Sequence, residues 1–188
     1  MTRVETLESA PRRSLIVGAG LLAGGLAVTA GVRAARAAAP AGDVQVMQGA
    51  LALEHEGIAA YRLAGASGLL KPDTLKVALI FKGHHEQHRD ALANLIRKAG
   101  GMPVEPKADA AYVKELNLGA LKTQTDVVRL ATKLELGATN AYAGQVAALH
   151  DPQLAQLFTQ LSADEAVHWT TLNNAAGASI PAKAFLFG

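Results

Sequence analysis

Glutamate and histidine recur in this chain at spacings that a helix converts into a metal site. Leu53-Glu54 is followed by Ala60-Tyr61, and Leu134-Glu135 by Ala141-Tyr142, so Glu and Tyr stand seven apart in both places. Thirty-one residues after Glu54 comes His85-x-x-His88-x-x-x-Leu92, and thirty after Glu135 comes Glu165-x-x-His168-x-x-x-Leu172. A duplicated helix pair carrying carboxylate and imidazole on its inner side can hold a cation in a bundle core. Oxygen-rich ligation with two or three imidazoles suits iron or manganese, and zinc is also compatible.

Four helices must position these groups. Caps and breakers place them at about 44–65, 72–99, 125–149 and 152–176. The second opens on Pro72-Asp73 and stops at Gly100-Gly101; the fourth opens on Asp151-Pro152, an N-cap followed by a first-turn proline. Short links within each pair and a long connection at 100–123, with a short helix near 109–117, describe an all-α bundle with one crossover. Each helix has an apolar stripe in steps of three and four. The first reads Met47, Leu51, Glu54, Ile58, Tyr61; the last reads Leu154, Phe158, Leu161, Glu165, His168, Leu172. In every case ionisable residues interrupt the stripe near its middle.

The heights agree. Glu54 lies eleven residues before Gly65, His85 thirteen after Pro72, Glu135 fourteen before Leu149 and Glu165 thirteen after Pro152. At ~1.5 Å per residue the polar groups share one level, ~17–21 Å from the turns. Burying an unpaired carboxylate costs several kcal/mol against a total stability of ~5–15 kcal/mol. Three such groups without a cation would threaten the fold, and a bound metal removes the difficulty.

The two ends of the chain carry different information. Arg12-Arg13 precedes a weakly apolar, glycine-rich run from Leu15 to Val32, and Ala35-Arg36-Ala37 offers a cleavage site. This pattern resembles a twin-arginine export signal over residues 1–37. It leads us to expect use of the Tat machinery, a periplasmic or cell-envelope location, and no stable membrane span once the signal is removed. Residues 38–188 are then the folded domain. The signal holds five Arg and two Glu, leaving 13 basic and 14 acidic residues and a net charge of −1. The basic balance of the whole chain therefore belongs to the signal, and no nucleic-acid surface is expected. Cysteine is absent, which excludes disulfides, thiolate ligands and thiol catalysis.

With these residues in place, the chain resembles the ferritin-like proteins, the group around ferritins, rubrerythrins and other di-iron or di-manganese carboxylate bundles. The likeness is to exported bacterial members and covers roughly 44–176. It implies a ferritin-like four-helix bundle in which the first and third helices each give a terminal Glu, and the second and fourth each give Glu-x-x-His. Carried over by position, Glu54 and Glu135 are terminal ligands, Glu165 bridges, and His88 and His168 cap one metal each. His85 departs from the pattern, standing where a second bridging Glu belongs. A neutral imidazole offers a metal one lone pair and cannot bridge through two oxygens. Two divalent ions against three carboxylates also leave +1. A two-metal site, a single ion in a histidine-rich site and a weak relic all stay open.

His84 lies close to the His88 row, beside the candidate ligands. Tyr61 and Tyr142, two turns along the stripe from the glutamates, are core residues placed to hydrogen-bond a ligand. Glu56, Glu86, Arg89 and Asp90 read as a solvated face, and Trp169, His55 and His150 as ordinary off-stripe residues. The resemblance implies redox chemistry with dioxygen or peroxide. The competing reading is a non-enzymatic metal-binding or structural bundle of the cell envelope. A homo-oligomer is compatible with both, and the tail Phe185-Leu186-Phe187 could cover a bundle end or mediate association.

Overall fold

The computed structural model describes residues 40–187, and the export signal expected at 1–37 lies outside them. Among the described residues there are helices and no strand: α1 Ala41–Gly65, α2 Pro72–Lys98, α3 Asp109–Glu115, α4 Gln124–Gln145 and α5 Pro152–Ala175. The described residues are all-α, as their stripes require. α1 packs along α2 and α4 along α5, and the two hairpins meet mainly where α1 touches α4. None of these helices is long and apolar enough to cross a membrane.

Local chemistry sets the ends. α2 closes on Gly100 at φ 83, a left-handed turn in which Gly101 N–H reaches Ile96 O at 2.9 Å. α4 opens with a capping box: Thr123 accepts from Asp126 N–H, and the Asp126 carboxylate accepts from Thr123 N–H at 2.9 Å. Thr123→Ala removes one half of that exchange and is expected to cost about 0.5–2 kcal/mol, read as a lowered thermal midpoint. α4 ends at Gln145, four residues short of the expected 149. A single 3-10 turn, Val146–Ala148, follows and tightens the chain toward α5.

Asp43, fully buried, holds the α4–α5 link. It accepts from His150 N–H and Asp151 N–H, both at 2.9 Å, and sits 3.0 Å from His150 Nδ1. Burial pushes its carboxyl up, but these donors outweigh it and hold the pKa below the ordinary value. His150 is thus a partner of Asp43, a contact between the first and fourth quarters of the chain that its sequence neighbourhood does not announce. The crossover is tied back by α3, whose Asp109 takes the Arg62 guanidinium through both carboxylate oxygens.

Two apolar clusters lie on either side of the polar level. One contains Met47, Leu51, Leu92, Ile96, Phe158 and Leu161, together with the Tyr142 ring. The other is small: Phe81, Val128 and Leu172. The C-terminal tail folds back, with the Phe187 ring set edge-on to Trp169 at 5.3 Å. Trp169 is accordingly buried rather than exposed off the stripe. Phe185 stays outside, 99% exposed.

Candidate metal centre

Each of the four long helices contributes at mid-height. Glu54 from α1, His85 and His88 from α2, Glu135 from α4, and Glu165 and His168 from α5 are all buried, none more than 8% exposed. Their donor atoms form two overlapping sets. Glu54, His85, His88 and Glu165 lie within 4.8 Å of one another, as do His85, Glu135, Glu165 and His168. Glu165 and His85 belong to both.

The shared residues divide their atoms between the sets. Glu165 Oε1 is 3.2 Å from His88 Nδ1, while its Oε2 is 3.1 Å from His168 Nδ1. His85 turns Nδ1 to Glu54 Oε2 at 2.7 Å and Nε2 to Glu135 Oε1 at 3.3 Å. The ring at 85 therefore spans the two terminal glutamates. Gly57 makes room for it: a Cβ there would stand 3.1 Å from the imidazole.

Outside these sets lie the groups that aim the ligands. His88 and His168 each turn Nδ1 inward and anchor Nε2 outward. Asp164 Oδ2 is 3.2 Å from His88 Nε2, and His84 Nδ1 is 2.9 Å from His168 Nε2. A ligating histidine held through its other nitrogen is the usual metal-site arrangement. Phe81 stacks on His168 at 4.1 Å between ring centres. The tyrosines cross over: Tyr61 of α1 donates to Glu135 of α4, and Tyr142 of α4 donates to Glu54 of α1. Burial and the adjacent carboxylates push both phenols well above their ordinary pKa, so they remain donors. Asp164 escaped the sequence reading because it lies on an exposed flank; its only signal was its place beside Glu165.

The donor set fits a cation. Glu135 Oε2 is buried and has no hydrogen-bond partner among the described residues, an unusual state for a carboxylate oxygen inside a protein. Without metal the carboxylates and imidazoles shift one another's titration. Burial opposes charge on every member, but the histidines hold Glu54 down to about 2 and Glu135 well below its ordinary value. Burial raises Glu165. The glutamates in turn push His88 up to about 10, and raise His85 and His168.

Comparison with known proteins decides the family. The model of the ferritin-like domain matches residues 42–178. The chain belongs to the ferritin-like domain family. A crystal structure of a conserved hypothetical protein from Mycobacterium tuberculosis has the same fold, with a TM-score of 0.65 and 22% identity. The match covers 77% of this chain and 96% of that one. No curated protein matches significantly. In this ferritin-like domain, a buried His/Glu cluster that could hold a metal lies where the four helices converge.

Linkage in the metal-free form has defined signs. His88, raised from 6.5 to about 10, adds stability that is complete below pH 6.5 and is lost as pH climbs through 10. Glu54, lowered from 4.5 to about 2, adds stability present above pH 4.5 and lost as pH falls through 2. Metal ligation needs unprotonated imidazoles. Metal uptake near neutral pH is therefore expected to release protons from His85, His88 and His168, with apparent affinity rising toward pH 10. Calorimetry in two buffers of different ionisation heat measures the release. Uptake with no protons released would remove the histidines from the ligand set.

Proposed function

We propose that this ferritin-like domain is an exported metalloprotein with a dinuclear iron or manganese centre that reacts with dioxygen or peroxide. The observation that carries the reading is the division of Glu165, one carboxylate oxygen toward each capping histidine. A carboxylate that serves two ions would divide in this way. Glu54 and His88 would complete one half-site, and Glu135 and His168 the other, with His85 between them. Bound there, iron or manganese would supply one-electron redox chemistry toward the oxidant.

The chain's own part is orientation and exclusion. Tyr61 and Tyr142 hold one oxygen each of Glu135 and Glu54, which leaves the second oxygen of each carboxylate for the centre. Asp164 and His84 fix the ring planes of His88 and His168. The packed cluster around Leu92 and Phe158 excludes water from one side. Export by the twin-arginine route is supported by the Arg12-Arg13 pattern. That route carries folded proteins, so metal could be loaded before export.

Two measurements test the reading: metal content of protein produced in an exporting bacterial host, then anaerobic reduction followed by dioxygen or hydrogen peroxide. Two ions per chain and oxidant consumption are expected. Stoichiometric metal without consumption would leave a binding protein. A stable protein without metal, indifferent to loss of His168, would end the metal reading.

A further inference from the structure

The interior is filled unequally on the two sides of the centre. Toward the start of α1, large side chains from four helices close-pack around Leu51, Leu92 and Phe158. Toward the α1–α2 turn, the core consists of Phe81, Val128 and Leu172, and beside them lies a cavity of about 520 Å³. Small side chains from three helices make the space: Ala60 and Ala64 of α1, Ala78 of α2, Ala131 and Ala138 of α4. The space opens to solvent along part of its length, past Asp73, Lys133 and Thr171, and its volume is that of a small-molecule site.

The cavity runs from the turn to the centre. Gly65 and Leu70 stand at its outer end; Tyr61, His85 and Glu135 line its inner end. The lining residues of α1, Leu53 to Gly65, give it a length of about 18 Å. Glu135 is 1% exposed and its Oε2 is the oxygen without a hydrogen-bond partner. The walls between the two ends are mainly alanine, valine and leucine, with Thr74 and Thr171 among them. Charged groups other than the ligands, Glu56, Asp73 and Lys133, are of mixed sign.

We propose that this cavity binds an uncharged, elongated apolar molecule, such as a medium-length hydrocarbon chain, with one end against His85 and Glu135. Its predominantly aliphatic lining favours transfer of an apolar molecule out of water. A charged ligand would find few partners along the aliphatic walls, where Glu56, Asp73 and Lys133 are the charged groups besides the ligands. The chain's own tail is engaged elsewhere, with Phe187 against Trp169 and the α4–α5 face. Binding depends on the cavity alone; only the role of the bound molecule as a substrate rests on the metal reading.

The test uses the full chain, metal-free and metal-loaded, titrated with diphenylhexatriene, an uncharged rod that fluoresces in apolar surroundings. The expected result is a saturable rise at one probe per chain, reversed by decanol. Ala131→Phe and Ala64→Leu fill the cavity from different helices without touching the ligand set. Each is expected to weaken probe binding by about tenfold or more, with metal stoichiometry unchanged. An absent or non-saturating rise in the parent protein overturns the proposal. So does parental affinity in either variant that keeps its helical circular dichroism. Self-association that excludes the probe would assign the space to a second copy and overturns it too. Saturable probe binding in a protein that takes up no metal would uphold the cavity and sink the metal reading instead.

Discussion

Glu165→Gln is expected to leave the helices intact and abolish metal binding at both half-sites. Glu165 stands in both donor sets, with Oε1 toward His88 and Oε2 toward His168. The amide keeps the shape and one acceptor oxygen, but its NH₂ has no lone pair for a metal. Losing a ligand shared by two ions should cost more than the ~10–100-fold that loss of an outer partner costs. In the metal-free fold two effects oppose: a neutral amide avoids the burial cost that raises the Glu165 pKa, but it gives up the carboxylate's charge-assisted contacts with His88 and His168. The expected result is a folded metal-free protein whose melting temperature does not rise when metal is added. Two ions retained at parental affinity would exclude Glu165 as the shared ligand.

His85→Glu is expected to move the two forms of the protein in opposite directions. In the metal-free state the imidazole lies between Glu54 and Glu135, and those carboxylates hold it protonated well above its ordinary pKa. Exchanging it for a carboxylate sets four acidic groups against two histidines. Breaking a buried pair costs about 3–5 kcal/mol, so the metal-free melting temperature should fall by roughly 10 °C. The loss should shrink on acidification, because protonating a carboxylate relieves the repulsion. With two divalent ions the sign reverses: four carboxylates neutralise the charge that three leave at +1. The substituted protein should therefore bind metal more tightly and gain more stability on loading. Thermal melts with and without manganese measure both arms. An undisturbed metal-free melt would show that His85 carries no charge between the glutamates.

Much of the architecture was legible in the residues. Stripes in steps of three and four, the Gly100 stop, and Asp151-Pro152 as a helix start act within one turn, where backbone geometry converts spacing directly into direction. The common level of Glu54, His85, Glu135 and Glu165 followed from a constant rise per residue. α4 ends early, and no spacing argument shows why, because the α4–α5 link is held by Asp43, more than a hundred residues away.

Residue order determined which side chains face inward and how high they stand, since a helix has one rise and one rotation per residue. Packing decided the rest. The exchange of tyrosines between α1 and α4, the two faces of the His85 ring, and the support of His88 by Asp164 depend on how four rods are turned against each other. The cavity beside Ala131 is likewise a property of the assembled bundle. An alanine in one helix is merely small until three neighbours fail to fill the space it leaves.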